Sequence, residues 1–358
     1  MSWVRREIAL AHRQIPDKIV SAEQFEAARA VYEKAEIIAK YKHPNIWTDN
    51  VSPLRKAFTD RTYLAYRVFT VTSRSGKLRQ IREPIDGLKL VQSVLGRILH
   101  NVLHVQGHGG RPQSYLHGFV RDRSILSGAI HHFKKGYVVK MDIKNYFESI
   151  TTDMLNKAFV AGSKVGYQFP DWLREALLAY GFYKPMGRPG SGFTALGSPS
   201  SPSIANAISA FLIIPPIMGV LKNSATATVS EPNFSMYADD MTFSSNDKSV
   251  IKLTRIVPMI LRRIGLSVNQ SKTKVLGRNA CQLVCGVVVN KKPSTPRSYR
   301  RALRKNIHHI TKQVQLGIID PASVNVSVLR GRVSYVGSIC STQGELLDRQ
   351  MDKLEAVL

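Results

Sequence analysis

The sequence predicts an α+β fold, an antiparallel sheet with helices packed on one face, and three observations predict it. In Phe234-Ser235-Met236-Tyr237-Ala238-Asp239-Asp240-Met241-Thr242-Phe243, two short β-forming runs flank a pair of acids. This reads as a hairpin with Asp239 and Asp240 at its turn. A second β-rich run, Gly136-Tyr137-Val138-Val139-Lys140-Met141-Asp142-Ile143, carries an acid near its end. Segments of helical periodicity lie before, between and after these strands. An acidic pair alone is most often a solvated turn. A third carboxylate on a neighbouring strand changes that reading, because carboxylates among apolar side chains are costly unless a cation neutralises them. Hard oxygen ligands suit Mg²⁺. Three carboxylates side by side could hold two such ions about 3.5–4 Å apart, the clamp for in-line phosphoryl transfer.

The elements follow in order. Residues 21–42 read as a helix, with Ser21 as N-cap and Gln24 three residues on. Tyr66-Arg67-Val68-Phe69-Thr70-Val71 and Leu78-Arg79-Gln80-Ile81 flank Ser73-Arg74-Ser75-Gly76, a hairpin pattern. Leu88, Val91, Leu95, Ile98, Leu99 and Val102 recur at helical spacing, so a helix packed on that hairpin follows. Residues 107–123 are rich in Gly, His and Arg and read as a loop near the acids. Gly197-Ser198-Pro199-Ser200-Ser201-Pro202 opens a helix over 201–221. After the acidic hairpin come an amphipathic helix over 249–264, a strand over 283–289, a strongly basic helix over 299–315 and a last short helix over 346–357.

Composition narrows the function. Lys plus Arg number 51 against 25 Asp plus Glu, a net charge of +26, far more than solubility needs, which points to a polyanionic partner. Residues 248–319 and 87–121 contain no acid at all. Tyr299, His308 and His309 interleave with the bases of the first stretch, a pattern that fits a phosphate-tracking groove. A hydrophobic content of 44% excludes a disordered chain. Three cysteines, with no Cys-x-x-Cys, argue against a disulfide framework and a zinc site. No secretory signal opens the chain, and the longest apolar run, residues 208–221, is short for a bilayer and carries Pro215-Pro216. A soluble, cytoplasmic protein with no membrane contact is expected.

At this point the chain resembles the reverse transcriptases, and among them the bacterial retron type. Tyr237-Ala238-Asp239-Asp240 is similar to the family's Tyr-x-Asp-Asp box, and Met141-Asp142-Ile143-Lys144-Asn145-Tyr146-Phe147 to its first aspartate motif. Gly197-Ser198-Pro199-Ser200-Ser201-Pro202-Ser203-Ile204-Ala205-Asn206 resembles the motif that binds template and incoming nucleotide. Gly265-Leu266-Ser267-Val268-Asn269-Gln270-Ser271-Lys272-Thr273 resembles the lysine motif that follows. His117-Gly118-Phe119 with Gly128-Ala129-Ile130-His131-His132 resembles the retron segment bearing Asn-Ala-x-x-His, with Gly128 in place of Asn. Val284-Cys285-Gly286 stands where retron enzymes carry Val-Thr-Gly, and Ala195-Leu196 where the family usually has Pro-Gln.

The resemblance implies a right-hand polymerase fold. Its parts would be an N-terminal helical extension (residues 1–60), fingers with the retron segment (61–135), a palm with interleaved fingers segments (136–282) and a helical basic thumb (283–358). Asp142, Asp239 and Asp240, with the carbonyl of Ile143, would hold two Mg²⁺ ions. Arg79, with Lys77 beside it, would hold the triphosphate of the incoming dNTP, since an Arg fork binds phosphate oxygens in pairs. Gly197 would approach the nucleotide, and Phe147 would be the plate that excludes a ribose 2′-OH. Lys272 would either protonate the leaving pyrophosphate or only contact phosphate. Arg300, Arg301, Arg304 and Lys305 on the basic helix would grip a duplex or structured RNA.

The partners so implied are a structured non-coding RNA serving as template and primer, the RNA–DNA hybrid and dNTPs. The product would be a branched or linked RNA–DNA molecule, made for anti-phage defence with a separate effector protein, since no effector domain is evident here. The alternatives are a diversity-generating or group II intron-like reverse transcriptase, although little chain follows the thumb for a maturase extension, and a non-catalytic RNA-binding protein on the same scaffold.

Overall fold

The protein is described from a computed structural model covering residues 3–42, 62–73, 76–105, 112–186, 192–224 and 230–358. Arg74 and Ser75 of the expected hairpin turn, residues 107–111 of the expected loop and residues 43–61 lie outside the described residues.

The N-terminal part contains two helices, α1 (Trp3–Gln14) and α2 (Ala22–Lys42), the first of which has no counterpart among the elements expected from sequence. The start of α2 is the expected capping box: Gln24 N donates to Ser21 Oγ at 3.3 Å, and Ser21 N donates to Gln24 Oε1 at 3.1 Å. Both helices pack on α3 (Asp86–Val105), whose predicted stripe Leu88, Val91, Leu95, Ile98, Leu99 and Val102 is fully buried. Before α3, strands β1 (Tyr66–Thr72) and β2 (Leu78–Pro84) form the expected antiparallel ribbon.

The palm sheet has four antiparallel strands in the order β4 (Asn233–Tyr237), β5 (Asp240–Ser245), β3 (Tyr137–Asp142) and β6 (Lys274–Gly277). The edge strand β6 is an addition to the expected elements. Register decides what this sheet can do. Asp142 stands opposite Asp240, and Tyr237 opposite Asp240 on the other side. Because side chains alternate across a strand, Val138, Lys140 and Asp142 share a face with Ser244, Thr242 and Asp240. Val139, Met141, Met236, Met241 and Phe243 point the other way into the main core. That face is covered by α6 (Thr152–Lys164), α8 (Ser201–Ile208) and α10 (Leu253–Ile264), as expected for helices on one side. Between these lie α5 (Tyr146–Ser149), α7 (Asp171–Tyr180) and α9 (Ile214–Asn223), with α4 (Ile125–Ala129) earlier in the chain.

From α8 to α9 the helix is continuous through a π turn at Ser209–Ile213. Prolines lack an N–H and crowd the preceding turn, and the wider turn absorbs Pro215 and Pro216. The run Ser201–Asn223 is therefore longer than the apolar stretch expected from sequence. It is long and apolar enough to cross a membrane, with mean hydropathy 2.0, but 72% of that window is buried inside the fold, as in a core helix.

The acid-bearing face is not bare either. Ala129 of α4, Val138, and Val284 and Val287 from strands β7 (Leu283–Val284) and β8 (Val287–Val288) form a second cluster with Ile339. The single strand expected over 283–289 is thus a hairpin. Its two turn residues have positive φ, Cys285 at 47° and Gly286 at 86°, the signature of a mirror-image turn. The thumb follows as three helices, α11 (Arg297–Gln315), α12 (Val326–Ile339) and α13 (Ser341–Glu355), around their own core of Leu303, Ile307, Leu329, Val333, Leu347 and Met351.

Candidate active site

The acids meet at one end of the palm sheet. The β4–β5 connection is two residues long, with Ala238 held at φ +53°, a conformation that costs a non-glycine residue of order 1–2 kcal/mol. The turn is fastened from three sides. Ile143 N donates to Asp239 O at 3.0 Å, which ties it to the end of β3. Asn269 N donates to Asp142 O at 2.7 Å and Lys144 N to Ser267 O at 2.8 Å, so the lysine motif ties the same strand end from the other flank. Beneath the turn lies Gly118, where an added Cβ would stand 2.6 Å from Ala238 N. Only glycine fits that approach.

Crowding three carboxylates here has an electrostatic consequence. Burial, then the charge of Asp142, pushes the Asp239 carboxyl up to about 6. Burial likewise raises Asp240, with Lys140 opposing it. Asp142 is 8% exposed and accepts a hydrogen bond from Lys272 Nζ at 2.7 Å, which raises the lysine. Among the described residues no three His, Cys, Asp or Glu side chains already stand in a metal-holding arrangement. The donor set nevertheless fits a hard divalent cation: oxygen donors only, two of them on register-paired residues, with ionisation opposed by mutual repulsion that a cation would relieve.

The nucleotide motif is placed by backbone and by a buried polar network. Gly197 has φ +112°, and a Cβ there would lie 2.9 Å from Arg82 O. Arg82 N donates to Leu196 O at 2.8 Å, so residue 196, where the family pattern has Gln, docks on β2 through its main chain. Ser198 Oγ donates to Gln92 Oε1 at 2.7 Å, and Gln92 Nε2 donates to Tyr66 OH at 2.6 Å and to Tyr180 O at 2.7 Å. Phe147 sits on α5 between Tyr146, ring centres 5.7 Å apart, and Phe119, 6.2 Å away. Thr194 Oγ1 donates to Phe147 O at 2.5 Å, and Tyr146 OH donates to Ala205 O at 3.0 Å, which anchors α5 to α8.

Lys77 and Arg79 are exposed near the ribbon tip. Arg79 pairs with Val71 and Arg82 with Val68, so the two arginines lie on opposite faces of the ribbon. Arg82 is the one gathered against the palm. Its Nη1 donates to Glu148 Oε1 at 2.6 Å, and its guanidinium lies 5.1 and 5.0 Å from the ring centres of Tyr183 and Phe193. Sequence reasoning missed Arg82, for which an arginine three residues past the chosen one on an alternating strand was the available signal. It placed Phe119 in the retron-like segment but not its contact with Phe147.

The retron-like segment is structural at this site. His132 is fully buried and bridges β4 and β5, with Nε2 2.7 Å from Ser235 Oγ and Nδ1 2.8 Å from Ser244 Oγ. Burial, then the neighbouring His131, takes its pKa down to about 3, so it is neutral. His117 lies against Gly128, with Nδ1 2.9 Å from Ser127 Oγ. Asn206 Nδ2 donates to the carbonyls of Gly118 and Phe119, both at 3.2 Å, which joins this segment to the nucleotide motif. The β7–β8 tip reaches the same neighbourhood: burial, then the charge of Asp240, pushes the Cys285 thiol up to about 11.

On the thumb, Arg301, Arg304 and Lys305 are exposed. Arg300 is set apart from them, because its Nη1 turns back to donate to Thr295 O.

Residues 72–323 match the family model described as reverse transcriptase (RNA-dependent DNA polymerase). The chain is 29% identical over 298 residues to the Retron Mx65 reverse transcriptase of Myxococcus xanthus, a match spanning 80% of this chain and 64% of that protein. It is 27% identical over 294 residues to the Retron Ec86 reverse transcriptase of Escherichia coli, spanning 81% of each. With the Retron Ec83 reverse transcriptase of Escherichia coli it shares 26% over 307 residues, 81% of this chain and 90% of the relative. Among solved structures, apo telomerase from Candida tropicalis superposes with a TM-score of 0.50 at 11% identity, covering 81% of this chain and 58% of that one, a likeness of fold. The chain belongs to the reverse transcriptase family, the RNA-directed DNA polymerases, and within it to the bacterial retron type.

Proposed function

We propose that this chain copies a structured non-coding RNA, which serves as both template and primer, into DNA that stays linked to that RNA as a branched product. The observation that carries this reading is the register pairing of Asp142 with Asp240 beside the fastened Asp239 turn. Asp142, Asp239 and the Ile143 carbonyl, supported by Asp240, would hold Mg²⁺. Two such ions, when bound, activate the attacking hydroxyl and stabilise the departing pyrophosphate. The chain's own side chains do the rest. Phe147, wedged between Tyr146 and Phe119, closes the space beside the sugar. Arg82, held by Glu148, and the exposed bases Arg79 and Lys77 on the ribbon offer charge to the triphosphate. Lys272, bonded to Asp142, would neutralise or protonate the leaving group. Arg301, Arg304 and Lys305 give the thumb a cationic face for the RNA–DNA hybrid. The reaction would take place in the cytoplasm and serve anti-phage defence alongside a separate effector protein.

The test is incorporation of labelled dNTPs on an RNA template, with and without Mg²⁺. Metal-dependent DNA synthesis by the wild type is expected. RNA binding without synthesis under any divalent ion would instead favour a binding protein on a polymerase scaffold.

A further inference from the structure

The acid-free stretch that contains the thumb helix begins well before it, on the palm. Its first helix is α10, Leu253–Ile264, which buries Leu253, Val257 and Leu261 in the core against the sheet face opposite the carboxylates. The outward side of α10, continued by Lys252 just before it, carries Arg255, Met259, Arg262 and Arg263, all five exposed. At 100° per residue these five fall within roughly 100° of arc, diametrically opposite the buried stripe. Lys252 lies beside Asp247. The three arginines have no carboxylate partner among the described residues, and no acid occurs between Asp247 and Asp320 to supply one.

This stripe is off the catalytic cleft but not remote from it. The helix ends at Gly265, and within the next four residues Ser267 O accepts from Lys144 N and Asn269 N donates to Asp142 O. The C-terminal end of α10 is therefore joined by a short connection to the strand end that bears Asp142, and the stripe leads away from that end along the helix. From Arg255 to Arg263 it runs about 12 Å, the length of roughly three or four nucleotides of a stacked strand. Like charges left unpaired at such density on one helix face repel each other, at a cost with no return inside the fold. Arginine is the base whose planar fork matches phosphate oxygens.

We infer that the outer face of α10 is a second RNA-binding track, separate from the thumb, which takes the phosphate backbone of RNA leaving or entering the cleft around the back of the palm. The inference rests on the reading of RNA as the partner. It adds that RNA binds outside the groove between fingers, palm and thumb.

The experiment uses the full chain and two probes: an RNA hairpin with a long single-stranded tail, and the same hairpin trimmed of its tail. The variant Arg255→Gln/Arg262→Gln/Arg263→Gln changes only exposed side chains, and Arg255→Lys/Arg262→Lys/Arg263→Lys keeps the charge. For the tailed RNA, the Gln variant is expected to bind more weakly, with the log–log salt slope reduced by about 0.7–0.9 for each phosphate no longer neutralised, roughly 2 in all. The Lys variant should keep most of the slope, and the trimmed hairpin should bind and be extended equally by all three proteins. A wild-type slope for the Gln variant on the tailed RNA overturns the track alone. An equal loss on both probes also overturns it, because the residues would then serve the cleft or the fold. Failure of the wild type to bind either RNA overturns the RNA reading itself.

Discussion

At the scale of single residues, the site depends on charge held where water is scarce. Asp239, raised to about 6, is a carboxyl that burial and the charge of Asp142 oppose ionising without a cation. In metal-free protein near pH 8, Asp239→Asn should therefore stabilise the fold, by on the order of 1–3 kcal/mol. With Mg²⁺ the order should reverse, because only the wild type gains from the ion. Paired thermal melts with Mg²⁺ and with a chelator check this. Equal melts of the two proteins in both conditions would remove the metal from Asp239. Phe147 makes a steric claim. Phe147→Val opens the space beside the sugar, and discrimination between dNTPs and NTPs in single-nucleotide incorporation should fall at least tenfold. Unchanged discrimination would leave Phe147 as packing between Tyr146 and Phe119.

At the scale of elements, β4 and β5 are kept in place by what lies on their acid-bearing face. His132 bonds both strands through both ring nitrogens, so His132→Ala leaves Ser235 and Ser244 unpaired around a cavity. A loss of about 2–4 kcal/mol follows from two buried hydrogen bonds and the missing ring. At a temperature where the variant stays folded, synthesis should drop while RNA affinity holds, and His132→Asn should recover part of it. Loss of RNA affinity in proportion to synthesis would make His132 a reader of RNA instead. The sequence made much of this legible. The hairpin acids, the Asp142 strand, the Ser21–Gln24 cap and the α3 stripe were readable because each rests on local periodicity or capping chemistry. Strand β6 was not, since Lys274-Val275-Leu276-Gly277 is too short to show alternation and is an edge strand only through pairing with β3. The placement of Arg82 rather than Arg79 against the palm depends on ribbon register and docking, which no local pattern encodes. Arg300 fits the basic face by helical spacing, and its contact with Thr295 comes from the segment before the helix, which that spacing does not encode.

At the scale of the whole molecule, buried titratable groups set the response to acid. His117 and His132 are lowered to about 3 and His100 to about 4, each chiefly by burial. A histidine held neutral contributes stability that is full above its unfolded value near 6.5 and is lost as pH falls toward the folded value. Asp239 acts in the opposite sense, since its raised pKa returns stability as pH falls from about 6 toward 4. Three strongly lowered histidines stand against two raised carboxyls, Asp239 and Asp240, so the histidines win. Urea midpoints should decline steadily below about pH 6, and a midpoint that rises from pH 6 to pH 4.5 would contradict this balance. The thumb answers to salt. Arg301→Ala/Arg304→Ala/Lys305→Ala should flatten the salt dependence of binding to an RNA–DNA hybrid by up to roughly 2–3 in log–log slope. A wild-type slope would mean that the hybrid is held elsewhere.

If Asp142, Asp239 and Asp240 form the catalytic centre of an RNA-templated DNA polymerase, primer extension reports on it directly. It is measured with dNTPs and Mg²⁺ on an RNA template for the wild type, Asp142→Asn and Asp239→Asn, with RNA affinity measured on the same preparations. Extension by the wild type, none detectable from either variant, and RNA affinities within tenfold of one another are expected. Extension by either variant at a rate near that of the wild type would contradict that assignment.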